Sequence, residues 1–261
     1  MLCSRKPWTG DADAVTDLAQ LKFFATPPHD CSYLEGRKAT TLFVDPAAEV
    51  DNTMYSALSG LGFRRSGRHV YRPHCADCNA CVPVRIPSAA FRPRRSQQRI
   101  WRRNRDLEIR IAEPGLTEEN YALYARYIEA RHADGDMHPP SPEQFSSFLL
   151  CEWSETRFVE FREGRELVAV AVTDQVRDGL SAIYTFYAPD RPQRSLGVFG
   201  VLWQLRRARE TGLPFVYLGY WIKQCQKMSY KTDYRPLEMF VGERWVRIAS
   251  DVADGSAPPL P

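Results

Sequence analysis

The order of the elements predicted for the second half of the chain constrains the fold most. Three strand-like runs, RFVEF, ELVAVAVTDQV and LSAIYTFYAP, follow one another with short gaps. A helix with one apolar face then begins at Ser195 and ends at Gly212, and PFVYLGYWI predicts a strand after it. Strands on either side of a helix predict a mixed α/β arrangement around one sheet. The runs LEMFV and RWVRI are expected to add the last strands.

Two helices are predicted before these strands, because Thr117 and Ser141 each stand at a capping position. The first half is more irregular. It offers the short strands TLFV, HVYRP and VPVRIP and one helix over residues 51–62. This change of pattern predicts a small cysteine-containing N-terminal domain over residues 1–112 and a second domain over residues 113–261.

Composition places the chain among ordinary globular proteins, since 44% of its 261 residues are hydrophobic and 26% are charged. No run approaches the roughly 18 apolar residues that a membrane helix needs. The N-terminal segment MLCSRKPWTGDADAVTDL lacks the apolar stretch of a secretory signal. We therefore expect a cytoplasmic protein without a membrane partner. The C-terminal segment GSAPPLP is expected to fray.

The cysteines predict either a metal site or free thiols. Cys75, Cys78 and Cys81 form the pattern C-x2-C-x2-C, and Cys31 could supply a fourth thiolate. Four sulfur ligands suit tetrahedral zinc or an iron–sulfur cluster. The alternative is a set of reduced, partly buried thiols. In a reducing cytosol, the odd total of seven cysteines favours both of these readings over disulfides.

A basic stretch predicted as a helix over residues 91–107 indicates contact with RNA. Seven arginines and no acidic residue lie between Arg92 and Arg105, although the net charge of the whole chain is only +3. Arginine binds phosphate with forked hydrogen bonds and stacks on bases. The candidates for binding RNA are Arg94, Arg95, Arg99 and Arg102. The alternative is a solvated helix face that pairs with acidic residues elsewhere.

The C-terminal half holds three tyrosine-rich segments, YTFYAPDRPQRSLGVFG, VYLGYW and CQKMSYKTDYRP. Ser195 and Gly197 stand where the predicted helix begins, and free backbone N–H groups at such a position favour a phosphate. For Ser195 a plain helix cap is favoured over a phosphate site, because serine prefers that position.

The sequence resembles the bacterial aspartate/glutamate leucyltransferases, relatives of the eukaryotic arginyl-tRNA–protein transferases. The resemblance rests on CSYLEGRKATTLFVDP, GFRRSGRHVYRPHCADCNACVPVRIP and FRPRRSQQRIWRRN in the first half. In the second half it rests on YTFYAPDRPQRSLGVFG and YLGYWIKQCQKMSYKTDYRPLE. One departure concerns the cysteines, because the longer eukaryotic relatives begin with a C-x2-C pair where this chain has only Cys31.

The resemblance implies a cysteine-containing N-terminal domain joined to an acetyltransferase-like (GNAT-like) catalytic domain. It also implies transfer of leucine from leucyl-tRNA to a protein whose N-terminal residue is Asp or Glu, which marks that protein for degradation by the N-end rule. An arginyl donor is one alternative. An acetyl-coenzyme A-dependent N-acetyltransferase explains the second half but not the arginine stretch. A non-catalytic RNA- or peptide-binding module would retain only salt-sensitive RNA binding.

Such a transfer is aminolysis of an ester and requires no cofactor for its chemistry. The attacking α-amine has a pKa of about 7.7–8.0, so the protein must chiefly align the reactants and stabilise the developing oxyanion. The predicted acceptor-peptide residues are Arg37, Arg65 and Tyr71, because an acidic acceptor needs a cation. The predicted catalytic residues are Tyr187, Asp190, Tyr220 and Lys231. Asp190 could accept the amine proton, and Lys231 could bind phosphate or stabilise developing charge.

Overall fold

The computed structural model describes residues 18–248; Cys3, the rest of the N-terminal segment and the C-terminal GSAPPLP lie outside this range. The helices are α1 (Asn52–Gly60), α2 (Arg95–Arg103), α3 (Glu118–Arg131), α4 (Pro142–Leu149) and α5 (Leu196–Glu210). Short 3-10 turns cover Leu18–Gln20, Pro192–Arg194 and Gln226–Asp233.

The strands of the first half are β1 (Phe23–Ala25), β2 (His29–Asp30), β3 (Lys38–Ala39), β4 (Thr41–Val44), β5 (Arg64–Ser66), β6 (His69–Pro73) and β7 (Val82–Pro87). The remaining strands are β8 (Glu108–Ala112), β9 (Glu155–Glu163), β10 (Glu166–Val176), β11 (Gly179–Tyr187), β12 (Phe215–Trp221), β13 (Leu237–Val241) and β14 (Arg244–Ile248).

An eight-stranded sheet with the order β14-β13-β7-β12-β11-β10-β9-β8 dominates the described region. Its pairs are antiparallel except for β11 and β12, which are parallel and are connected through α5. A four-stranded sheet, β1-β4-β6-β5, and the small pair β2-β3 belong to the first half. The predicted mixed α/β class, with strands on either side of the helix that follows Ser195, is confirmed.

Strand β7 joins the two halves of the chain. It lies between β13 and β12 in the large sheet, although its residues precede the predicted division at residue 112. Backbone hydrogen bonds therefore cross that division. The division of the chain into residues 1–112 and 113–261 stays a prediction about sequence units.

Two apolar cores support this arrangement. The larger core lies against the eight-stranded sheet and includes Phe145, Phe158, Phe186 and Phe199, all with at most 2% of their surface exposed. The smaller core packs α1 and the four-stranded sheet through residues such as Tyr55, Leu58, Phe63, Val70 and Tyr217. Within residues 18–248, no helix is long and apolar enough to cross a membrane.

The predicted helix caps are confirmed at Thr117 and Ser141, whose hydroxyls accept from the N–H groups three residues ahead at 3.2 and 3.1 Å. The prediction that Ser195 caps the helix with its side chain is wrong, because that side chain makes no capping bond. Its φ of 51° is left-handed, whereas a capping side chain needs an extended backbone to reach the helix N–H groups.

The arginine-rich helix is shorter than the predicted range 91–107. It begins at Arg95, because the Gln97 side chain accepts from the Arg94 N–H at 2.8 Å and closes the first turn there. It ends before Asn104, whose side chain donates to the carbonyl oxygen of Arg194 at 2.8 Å. This bond fixes α2 beside the turn that precedes α5.

Candidate functional site

Strands β11 and β12 separate part of the way along the large sheet. They pair only along residues 179–181 and 215–217, and no further pairing joins them. The register of β12 against β7 shifts between Tyr217 and Gly219, and Gly219 has a φ of +75°. We call the space between β11 beyond Ser181 and β12 beyond Tyr217 the strand gap. Such an opening exposes backbone carbonyls that an intact ladder would pair.

The side chain of Arg64, from β5, occupies the strand gap. Its Nη2 atom donates to the carbonyl oxygens of Ala182 and Ile183 at 2.7 and 3.2 Å. A Cβ atom at Gly219 would lie 1.4 Å from Nη1 of Arg64, so only glycine leaves room for the guanidinium. In the part of the chain that the structure describes, Arg64 forms no ion pair with a carboxylate.

Arg64 was not among the residues predicted from the sequence, because the neighbouring Arg65 was assigned to the acceptor pocket. The motif GFRRSG did carry a usable signal. Successive residues of a strand face opposite sides, so two adjacent arginines on a short strand must have different surroundings.

Arg65 is a correction to the predicted acceptor pocket. Its side chain is fully buried, and Nε and Nη2 donate to the two carboxylate oxygens of Asp174 at 2.5 and 2.6 Å. Thr156 completes the network with bonds of 2.9 Å from Arg65 and 2.8 Å to Asp174. A guanidinium already neutralised and enclosed in this way cannot bind an acceptor carboxylate.

Tyr71, Tyr220 and Lys231 lie around the strand gap. The rings of Tyr71 and Tyr220 are 6.2 Å apart, and the Tyr220 hydroxyl lies 3.0 Å from the carbonyl oxygen of Gly62 and 3.2 Å from that of Tyr71. The Lys231 Nζ atom donates to the carbonyl oxygen of Tyr220 at 2.5 Å. The two halves of the chain therefore meet in one cluster, which brings together three of the predicted site residues.

The cluster alters the titration of its members. Burial, with a smaller contribution from the positive charge of Arg64, lowers the pKa of Lys231 from 10.5 to about 7. Burial also raises the pKa of Tyr220 well above 10.0, and the neighbouring Tyr71 adds to this rise. A lysine with such a pKa is present in substantial amounts as the neutral amine near pH 7.

Arg37 makes none of the contacts described for this cluster. It is exposed in the loop between β2 and β3, and its carbonyl oxygen accepts from the N–H of Cys31 at 2.9 Å. Tyr33 of the same loop is within electrostatic reach of Arg64 and Tyr71. The loop thus borders the cluster, and the role of Arg37 in binding an acceptor stays a prediction.

The four cysteines of the predicted metal site lie in one area, and Cys225 joins them. Burial raises the pKa of the Cys81 thiol to about 12, and Cys31, Cys75, Cys78 and Cys225 add to the rise. All five are half-buried and free of disulfides. Within residues 18–248, however, no three Cys, His, Asp or Glu side chains are arranged to hold a metal ion. The thiols as placed do not fit a zinc or iron–sulfur site, and none of the chemistry below is routed through one.

Of the predicted RNA-binding arginines, Arg94 directly precedes α2 and the other three lie on it. Arg95, Arg99 and Arg102 are exposed, whereas Arg94 pairs with Asp233 at 3.1 Å. A cavity of about 160 Å³ lies beside this helix. Its lining residues are Arg94, Ser96, Gln97, Ile100, Val198, Tyr230, Asp233 and Tyr234. The cavity therefore connects the arginine helix, the first turn of α5 and the segment that carries Lys231.

The turn between β11 and α5 holds the remaining predicted residues. A Cβ atom at Gly197 would lie 3.1 Å from the ring of Tyr187, so these two residues are packed together. Asp190 is exposed and lies 3.5 Å from Arg126 and 3.6 Å from Arg191. Its contacts are therefore to arginines of the turn and of α3, not to the residues around the strand gap. Ser195 directly precedes α5, whose residue Val198 lines the cavity.

The sequence matches two family models and many named relatives. The N-terminal model of the arginine-tRNA-protein transferases covers residues 29–99, and the C-terminal model covers residues 119–241. The aspartate/glutamate leucyltransferase of Pseudomonas fluorescens (strain Pf0-1) is 58% identical over 89% of this chain and 99% of its own length. The enzyme of the same name from Hahella chejuensis is 55% identical over 90% of this chain and 100% of its own length.

Among solved structures, L-PGS from Bacillus licheniformis is similar with a TM-score of 0.42 and 14% identity, covering 55% of this chain and 47% of that one. At 55–58% identity over nearly the whole length of the relatives, the sequence match is decisive: the chain belongs to the aspartate/glutamate leucyltransferase family.

Proposed function

We propose that the protein transfers leucine from leucyl-tRNA to the α-amine of a protein whose first residue is Asp or Glu, and that it does so in the cytoplasm. One observation carries this proposal. Residues of both halves, Arg64 and Tyr71 from the first and Tyr220 and Lys231 from the second, form one cluster at the strand gap. Its relatives of similar length carry the name of that reaction. The six cysteines of residues 18–248 form no disulfide with one another, which agrees with a reducing compartment.

The reaction forms a bond between the acceptor nitrogen and the leucyl carbonyl carbon and breaks the ester bond to the tRNA ribose. One proton leaves the amine, and one proton returns to the ribose oxygen. Lys231 is suited to exchange such protons, because it is partly neutral near pH 7 and its Nζ atom bonds to an uncharged backbone carbonyl. Asp190 is less suited, because its contacts are to Arg126 and Arg191 and not to the residues around the strand gap.

The tRNA is proposed to lie along α2. The exposed Arg95, Arg99 and Arg102 face solvent without an ion-pair partner in the described region, so they are free to bind phosphates. The cavity beside α2 would receive the aminoacylated end of the tRNA. Arg94 would lie on one side of that end, and Ser195 and Gly197, where α5 begins, on the other. Tyr187, packed on Gly197, would form part of the same wall.

An acetyl-coenzyme A-dependent transferase is the second candidate. The position of the Arg64 side chain disfavours it. Its guanidinium bonds to the carbonyls that β11 exposes in the strand gap. Two of the backbone carbonyls that an extended acyl carrier would need there are therefore already bonded. The contacts of Arg64 do not depend on whether the donor is leucyl-tRNA or arginyl-tRNA, so the test includes both.

The test incubates the purified full chain with leucyl- or arginyl-tRNA and peptides that begin with Asp, Glu, Arg or Ala. Mass spectrometry should detect one added leucine on the Asp and Glu peptides only. Addition of arginine would correct the donor. Acetylation of the peptides with acetyl-coenzyme A, in the absence of any aminoacyl transfer, would overturn the proposal.

A further inference from the structure

Arg64 is a partly buried cation whose charge has no carboxylate partner among the described residues. A guanidinium carries five N–H donors, and the two on Nη2 are used by Ala182 and Ile183. The donors on Nε and Nη1 have no acceptor among the contacts of the described region. Charges removed from bulk water are normally paired, so an unpaired one in a cleft points to an anionic ligand.

The other arginines of the β5–β6 hairpin are not comparable. Arg65 is neutralised by Asp174. Arg72 packs 5.1 Å over the Phe63 ring and donates to the carbonyl oxygen of Leu61. Arg68 is exposed on the turn between the strands. Arg64 alone of these four combines partial burial in the strand gap with an unmatched charge.

The surroundings of Arg64 fix its position before any ligand arrives. Gly219 leaves the space for its head group, and the carbonyls of Ala182 and Ile183 hold Nη2. The buried pair of Arg65 and Asp174 anchors the adjoining residue of the same strand. A donor group held in place in this way loses little entropy on binding, which favours discrimination between similar ligands.

We infer that Arg64 binds the side-chain carboxylate of the acceptor's first residue and is the specificity-determining residue for acidic acceptors. This inference rests on the proposed function. A planar carboxylate matches the fork of a guanidinium. The aromatic rings of Tyr71 and Tyr220 border the gap, so the opening suits a single side chain better than a run of phosphates. The phosphates of the tRNA can instead be bound by the exposed arginines on α2.

The experiment compares kcat/KM for peptides that begin with Asp and with Asn, which differ in charge but not in shape. Leucyl-tRNA is the donor, and the enzymes are the wild type, Arg64→Met, Arg64→Lys and the control Arg68→Met. The control removes a positive charge four residues away on the exposed turn. The Asp/Asn ratio does not depend on the fraction of folded enzyme, so a poorly folding variant remains informative.

We expect Arg64→Met to reduce the Asp/Asn ratio about tenfold or more, which is the scale of a charge-assisted hydrogen bond. Arg64→Lys should keep part of the preference, because it retains the charge without the fork, and Arg68→Met should keep all of it. An unchanged ratio in Arg64→Met would overturn the inference. An equal loss of kcat/KM with both peptides would also overturn it, because such a loss indicates an oxyanion or structural role. A rise confined to the KM for tRNA would overturn it as well. If the wild type itself transfers no leucine to the Asp peptide, the proposed function fails instead.

Discussion

Two regions of the large sheet, reached by neighbouring residues of β5, treat a positive charge in opposite ways. On the side of β10, the ladders to β9 and β11 extend along most of the strand, each with one register shift, and Arg65 is neutralised by Asp174. On the side of β12, the strands separate and Arg64 keeps an unpaired charge. A buried charge beside paired strands therefore needs a counter-ion within the protein. A charge beside separated strands can remain available for a ligand.

The largest expected effect concerns the closed region. Asp174→Ala leaves the Arg65 guanidinium buried without its counter-ion, and we expect the free energy of unfolding to fall by about 3–5 kcal/mol. Urea-induced unfolding measures this change. The matched control is Glu210→Ala, which breaks the exposed pair with Arg206 on α5 and should cost at most about 0.5 kcal/mol. Equal losses in both variants would remove the distinction between the regions.

The next largest effect is a pH dependence of the unfolding free energy that arises from Lys231 beside the strand gap. Below about pH 7 Lys231 is protonated in both states, but between pH 7 and 10.5 the unfolded chain holds a proton that the folded chain has lost. Raising the pH should therefore stabilise the wild type relative to Lys231→Met, by up to about 1.4 kcal/mol per pH unit. From pH 7 to 9 the difference in unfolding free energy should grow by about 2 kcal/mol.

The control for this prediction is Lys227→Met, four residues earlier and exposed in an ion pair with Asp134. Its difference from the wild type should stay nearly constant over the same pH range. The groups that face Lys231, namely Arg64, Cys81 and Cys225, are present in both variants. A pH-independent difference for Lys231→Met would mean that its amine is protonated in the folded protein throughout.

The smallest expected effect tests how the two halves are joined at the strand gap. Tyr220→Phe removes the hydroxyl that bonds the Gly62 and Tyr71 carbonyl oxygens, and should reduce the unfolding free energy by about 1 kcal/mol. Tyr230→Phe, at a ring that is 41% exposed, should change it by less than about 0.5 kcal/mol. A loss of about 100-fold in kcat for Tyr220→Phe would instead assign the hydroxyl a role in proton transfer.

Local patterns predicted the elements well, because turn residues and alternation act within a few residues. The runs HVYRP, VPVRIP and ELVAVAVTDQV coincide with β6, β7 and β10. The partners of β7 were not predictable, since pairing with β12 and β13 depends on residues far along the chain. The length of α2 was also wrong, because a tertiary bond from Asn104 ends it.

The candidate site was predicted in part. The sequence indicated Tyr71, Tyr220 and Lys231, which the structure places together, but it could not tell which arginine of GFRRSG faces the sheet interior. Asp174 held the missing information. A carboxylate inside the apolar run ELVAVAVTDQV must find a cation, and the neighbouring arginine is then the free one.

The insertion of β7 between β12 and β13 has a consequence for synthesis. A chain emerging from the ribosome presents VPVRIP well before either partner strand has been translated, so both of its edges await hydrogen bonds. The central layer is thus complete only after β13 has been translated. If the two halves were produced as separate fragments, the first would contain β7 without its partner strands. The second would contain β12 and β13 without the strand between them, and we expect neither fragment to be stable by itself.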